Sequence, residues 1–217
     1  MNRPLCKYID HTNLKPDASS ADIRRLCQEA ARLDTASVCV NPCRVALAKS
    51  LLAGTDVAVC AVIGFPLGAS ITAVKRFEAE QAVLCGADEL DMVIGIGALK
   101  DGDFQYVKDD IHAVVKAADG RPVKVIIETG LLSDEEKTLA VKLACEAGAS
   151  YVKTCTGFSK GAATVQDVRL MKAACTGGVL VKASAGIRDR ASALALIKAG
   201  ADRLGTSAGA AILAQDE

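Results

Sequence analysis

The feature that most constrains this chain is its rhythm. Short β-branched runs alternate with longer amphipathic stretches from end to end. The runs are Tyr8–Thr12, Ser37–Val40, Val57–Gly64, Glu89–Ile94, Val123–Thr129, Tyr151–Thr156, Leu180–Ser184 and Arg203–Thr206, and they predict eight strands. Eight helical patterns accompany them, counting a last short one. Ser20–Leu33 sets Ile23, Leu26, Cys27, Ala30 and Ala31 on one stripe of 3.6-residue period. Ile71–Leu84 follows a Gly-rich turn, and Phe104–Ala117 carries Val107, Ile111, Val114 and Val115 on one face. Asp134–Ala147 opens behind Ser133 with a capping-box pattern, and Ala191–Lys198 follows Arg188-Asp189.

Three helices end on the same phrase. Gly86-Ala87, Gly148-Ala149 and Gly200-Ala201 each precede a strand, where glycine supplies a left-handed C-cap. Eight strand-helix units in one chain of 217 residues predict a (β/α)8 TIM barrel, an α/β fold spanning residues 1–217 as a single domain. The open doubly wound sheet is the competing architecture. It would carry a Gly-x-Gly-x-x-Gly turn after the first strand, and none is present. Aromatics make up only 3% of residues against 51% hydrophobic, so the core must be Val, Ile, Leu and Ala. Such residues suit parallel strands buried on both faces.

Composition also narrows the function. Lys plus Arg and Asp plus Glu balance at 26 each, which argues against a broad nucleic-acid footprint. No run of about 18 apolar residues reads as a membrane span. The opening residues Met1 to Lys7 lack the apolar core of a secretion signal. The nine cysteines therefore read as reduced, small hydrophobes of a cytoplasmic protein. Cys39 and Cys43 with His11 and His112 do not make paired zinc-site spacings, so no metal and no cofactor is expected.

Chemistry is expected at the C-terminal ends of barrel strands. A charge inside an apolar strand is costly unless it is paired or functional. Asp91 lies in Glu89–Ile94, where alternation puts Glu89 and Asp91 on one face. Lys153 lies in Tyr151–Thr156 and Lys182 in Leu180–Ser184, on consecutive strands, so the lysines should be neighbours. Glu128 ends the strand before them. A purely structural ion network is one interpretation. The other uses repulsion: a second cation about 5 Å away at effective ε near 20 contributes roughly 3 kcal/mol. That pulls a lysine pKa down by about two, and burial pulls the same way. One lysine can then attack a carbonyl as a neutral amine, with a carboxylate carrying protons.

Glycines Gly186 and Gly205, with Ser207, follow the seventh and eighth strands, where TIM barrels commonly bind phosphate. Thr156 to Gly161 can close the same pocket. Gly64-Phe65-Pro66-Leu67-Gly68 reads as a rigid turn, and His112 as structural or solvated. His11 packs or touches substrate, and Asp10 orients polar groups at the barrel floor.

These residues form ordered phrases along nearly the whole chain. They are Tyr8 to Thr12, Val38 to Pro42, Val62 to Gly68, Gly86 to Val93, Lys124 to Thr129, Lys153 to Phe158 and Val181 to Arg188. Taken together the sequence resembles the deoxyribose-phosphate aldolases, class I aldolases of the TIM-barrel fold. The resemblance implies reversible cleavage of 2-deoxy-D-ribose 5-phosphate to acetaldehyde and D-glyceraldehyde 3-phosphate. By position it implies Lys153 as the Schiff-base nucleophile, Lys182 as the residue lowering its pKa, and Asp91 as proton donor and acceptor with water. It implies phosphate contacts at Thr156, Gly186, Gly205 and Ser207, with Asp10, Thr12, Cys39 and Glu128 as further pocket candidates. A homodimer or tetramer is the expected assembly. The chain departs from the family phrases at Gly95 and Ala185, and it ends in Ala-Gln-Asp-Glu without the tyrosine-ended tail of longer members. The rival expectations are another phosphosugar aldolase or transaldolase-like enzyme, an isomerase, or a non-catalytic phosphosugar-binding barrel.

Overall fold

The computed structural model describes residues 3–214. Its strands are β1 (Ile9–Asn13), β2 (Ser37–Val40), β3 (Ala58–Ile63), β4 (Glu89–Val93), β5 (Val123–Ile126), β6 (Tyr151–Lys153), β7 (Leu180–Ser184) and β8 (Arg203–Thr206). All pair in parallel, each with the next, and β8 closes on β1, so the predicted barrel is the observed one. The helices are α1 (Ser20–Leu33), α2 (Val45–Leu51), α3 (Thr72–Leu84), α4 (Ile96–Lys100), α5 (Phe104–Ala117), α6 (Asp134–Glu146), α7 (Val165–Ala174), α8 (Arg190–Ala199) and α9 (Gly209–Leu213). They form the outer ring. None is long and apolar enough to cross a membrane among the described residues.

The three Gly-Ala phrases act as the sequence implies. Gly86, Gly148 and Gly200 take φ of 99°, 89° and 116°. The N–H groups of Ala87, Ala149 and Ala201 then reach back to Ala82, Ala144 and Leu196 at 2.9 to 3.0 Å. This closes the helix end and feeds the next strand at a fixed angle.

Four predicted strands, the third to the sixth, are longer than the observed ones, and the fifth and sixth differ most. β5 stops at Ile126 and β6 at Lys153. Glu128 sits at φ 58°, a left-handed turn that ends the extended run. Thr129–Leu131 then forms a short 3-10 turn. Apolar content continues past the strand ends because these residues stay buried, and a few backbone bonds still cross to the next strand, from Ile127 to Lys153 at 3.0 Å and from Thr154 to Lys182 at 3.1 Å.

Strand alternation separates two interiors. Val38, Val40, Val59, Ile63, Leu90, Met92, Val125, Val152, Val181 and Leu204 face outward into one apolar layer beneath the helices. The other face carries Asp10, Cys39, Cys60, Asp91, Lys124, Lys182 and Arg203 toward the barrel axis, all buried. The barrel is therefore sealed by hydrocarbon outside its wall and filled by ions within it.

Candidate active site

The interior charges form one connected set. At the N-terminal end of the barrel, Arg203 on β8 bonds Glu89 of β4 at 3.0 and 3.1 Å and the Ser37 hydroxyl at 3.2 Å. Its Nε donates to Asp10 at 2.7 Å. The other Asp10 oxygen lies 2.5 Å from Lys182 Nζ. Lys124 Nζ lies 2.6 Å from Glu89 and 2.9 Å from Asp91 Oδ1. Asp91 Oδ2 then accepts from Lys182 at 2.7 Å and from Lys153 at 2.8 Å. Strand register brings the two lysines together, since Lys153 stands directly across from Lys182.

Asp91 is the hub: three ammonium groups share one carboxylate. Burial opposes its charge, but Lys124, Lys153 and Lys182 outweigh that and hold it well below the usual carboxylate range. Asp10 is also held low: burial opposes its charge, and Arg203 and Lys182 outweigh it. Lys182 is pushed the other way from a lone buried lysine. Burial disfavours its charge, yet Asp10 and Asp91 hold its pKa above the ordinary lysine value. Lys124 behaves likewise, with Asp91 as its strongest support.

This revises the simple two-lysine picture. Repulsion does not act on an isolated pair, because a carboxylate sits between the lysines. The set holds four cations, Lys124, Lys153, Lys182 and Arg203, against the three carboxylates Asp10, Glu89 and Asp91. One proton removed brings it to neutrality. Lys124 and Lys182 each contact two carboxylates of the set, whereas Lys153 contacts Asp91 alone.

Above Lys153 opens a cavity of about 760 Å³ at the C-terminal mouth of the barrel. Lys153 is the one interior lysine that lines it. Thr12, Thr156, Gly186, Gly205 and Ser207 line it as well. Gly186 adopts φ 76°, and a Cβ there would lie 2.6 Å from Ala162 Cβ. The loop closes tightly because that position has no side chain. Thr206 donates its hydroxyl to the Ile187 carbonyl at 2.7 Å, tying the loop after β8 to the loop after β7. Gly186, Ile187, Gly205 and Ser207, in or beside these loops, line the cavity together with Lys153.

The remaining candidates fall outside the cavity wall. Asp91, Lys182, Asp10 and Cys39 lie beneath its floor, fully buried. Glu128 is a correction: it does not line the cavity but stands behind Thr156. It accepts from the Thr156 hydroxyl at 2.5 Å and backbone N–H at 3.2 Å. The cause is the left-handed turn at Glu128 itself, which swings the side chain toward β6. Gly64 to Gly68 is a tight turn with a cis Phe65–Pro66 bond, and Phe65 packs edge-on to Phe158 at 5.3 Å. His11 borders the cavity and pairs with Glu29 at 2.9 Å. His112 is on the outer side of α5.

Sequence reasoning missed Lys124 and Arg203. Both signals were available: Val123-Lys124-Val125 has the form of Val181-Lys182-Ala183, and Arg203 opens the last apolar run. The Cys39 and Cys60 thiols also gather at Asp91 within ligand-set distances of a metal. Three ammonium groups on the same carboxylate oppose a cation there.

A single family model spans this arrangement: the DeoC/LacD family aldolases match residues 5–215. The chain belongs to this family. Among its relatives, deoxyribose-phosphate aldolase 1 of Bacillus licheniformis is 56% identical over 214 residues, 98% of this chain and 96% of that one. The deoxyribose-phosphate aldolase of Thermococcus gammatolerans is 59% identical over 213 residues, covering 96% and 95% of the two chains. Among solved structures, the tetrameric deoxyribose phosphate aldolase of Aeropyrum pernix superposes with a TM-score of 0.91 at 34% identity. It covers 98% of this chain and 90% of that one. In DeoC/LacD terms, this member is an aldolase barrel whose interior is ionic from base to mouth.

Proposed function

We propose that this chain is a class I aldolase that reversibly cleaves 2-deoxy-D-ribose 5-phosphate to acetaldehyde and D-glyceraldehyde 3-phosphate. The observation that carries it is the position of Lys153. Its amine sits at the cavity floor, 2.8 Å from Asp91, with the glycine loops beside it. Lys182 is the persistent cation next to it, pinned by Asp10 and Asp91.

In this reading the substrate phosphate rests on the loop N–H groups near Gly186, Gly205 and Ser207, with Thr156 bordering it. The neutral Lys153 amine adds to the C1 aldehyde of the open-chain sugar, and loss of water gives the imine. A base acting through water and Asp91 takes the C3 hydroxyl proton. The C2–C3 bond breaks, and its electron pair passes into the imine as an enamine. Glyceraldehyde 3-phosphate leaves. The enamine takes a proton at C2, and water hydrolyses the resulting imine to acetaldehyde and free Lys153. Holding amine, acid-base group and phosphate cradle in one rigid barrel supplies the positioning.

The chemistry requires no cofactor or metal, since the imine itself withdraws the electrons. Activity is expected to survive EDTA; loss that a divalent metal restores would point to another mechanism. The wider reading is a small-molecule enzyme of the cytoplasm, working as a homo-oligomer. The tetrameric Aeropyrum relative supports the assembly. The deciding experiment is borohydride trapping with acetaldehyde, followed by digestion and mass spectrometry. An ethyl group on Lys153 is expected. An ethyl group on Lys182 would exchange the two roles, and no site-specific label would overturn the imine reading.

A further inference from the structure

Two residues at the closed end of the barrel take no part in the reaction as drawn above. Glu89 and Arg203 do not line the cavity. They stand on the opposite strands β4 and β8 and bond each other at 3.0 and 3.1 Å, with side chains 12% and 7% exposed. A buried ion pair of this kind is weak evidence for stability, because desolvation offsets much of the attraction. It does join the reactive amine by two unbroken routes. Glu89 reaches it through Lys124 at 2.6 Å, which in turn lies 2.9 Å from Asp91. Arg203 reaches it through Asp10 at 2.7 Å, then Lys182 at 2.5 Å, then Asp91 at 2.7 Å. Both routes end on the Asp91 carboxylate, which Lys153 touches at 2.8 Å.

We propose that Glu89 and Arg203 are positioning residues that set, from the base of the barrel, the pH at which Lys153 becomes a nucleophile. The inference rests on the imine reading above. It follows from charge counting inside the protein, where charges act over a longer range than in salt water. With Lys153 neutral, Asp10, Glu89 and Asp91 balance Lys124, Lys182 and Arg203 one for one. The Cys39 and Cys60 thiols both donate to Asp91 and so count as uncharged. Tyr151, whose ring lies 6.0 Å from Lys124 Nζ, adds no charge at neutral pH. Removing the charge of Glu89 leaves a surplus of one cation, which makes a proton on Lys153 less stable. Removing the charge of Arg203 leaves a surplus of one anion, which makes that proton more stable. Neither side chain borders the space above the amine, so charge is what carries the effect.

The test is the pH profile of imine formation. Wild type, Glu89→Gln, Arg203→Met and the double variant are exposed briefly to acetaldehyde at each pH, then reduced with borohydride. Digestion and mass spectrometry give the ethylated fraction at Lys153, and circular dichroism confirms folding. The Glu89→Gln midpoint should fall by about one pH unit and the Arg203→Met midpoint should rise by about as much. That is the size of one charge roughly 10 Å away at effective ε near 20. The double variant, balanced again, should return close to the wild-type profile. Loss of packing would instead lower the ethylated fraction at every pH and move both single variants alike. A wild type with no ethyl group on Lys153 would sink the imine reading and this one with it. A wild type that traps, beside folded single variants whose midpoints stay put or move the same way, would overturn the role of the base pair alone. Where a single variant does not fold, the double variant decides: a midpoint displaced from wild type would refute the charge count.

Discussion

At the scale of the residue, the site is a problem of charge balance. Lys153→Ala should abolish borohydride trapping and lower turnover by about four orders of magnitude or more, as expected for a lost covalent nucleophile. Steady-state rates and the trapped-peptide mass check it. Asp91→Asn removes the carboxylate shared by three lysines. It should cost about 3–5 kcal/mol of stability in a denaturant titration, besides activity, because buried cations are left uncompensated. Lys182→Leu should move efficient trapping at Lys153 to higher pH, since it takes away the pinned cation beside the amine; an unchanged pH profile of trapping would contradict that role. Asp91, Lys153 and Lys182 were legible as charges in apolar runs. Lys124, second in β5, and Arg203, first in β8, carry the same signal of a charge in an apolar run. Glu128 was misplaced because a left-handed backbone at a glutamate leaves no mark in the residue type.

At the scale of the element, what the sequence made plain is the strand-helix alternation and the turns that punctuate it. The three Gly-Ala phrases give the same hydrogen bond in the same place, so their repetition was a sound structural signal. Strand ends were less legible. Residues after Ile126 and Lys153 remain buried beyond the regular strands, and burial rather than strand geometry is what an apolar run reports. The short helices α2 and α4 were hidden for a related reason: one turn or two carries too little periodicity to register. Caps, by contrast, are testable one at a time. Thr164 accepts from the Asp167 N–H at 3.0 Å and starts α7, the helix that follows the Lys153 strand. Thr164→Ala should cost about 1 kcal/mol in thermal or denaturant unfolding, with Thr164→Ser close to wild type.

At the scale of the whole molecule, the interior charges set a pH window for stability. Asp10 and Asp91 titrate lower in the folded state than in the unfolded chain. Their contribution is complete above the unfolded carboxylate value of about 4 and declines as pH falls below it. Lys124 and Lys182 titrate higher when folded. Their contribution is complete below the unfolded lysine value of about 10.4 and is lost as pH rises beyond it. Melting temperature should therefore run flat between those limits and fall on both sides. A profile that kept rising below pH 4 would contradict the depressed carboxylates.

The barrel is closed at its base by Arg203, Glu89 and Ser37, and the cavity opens only at the mouth. In the proposed reaction, with Lys153 at the floor and the phosphate on the glycine loops, the two halves of the cleaved sugar would stand in single file. The phosphorylated fragment is outermost and must depart before the two-carbon fragment, still bonded to the lysine, is released. The proposed reaction thus has an ordered exit, and product-inhibition kinetics should show acetaldehyde alone combining with the free enzyme.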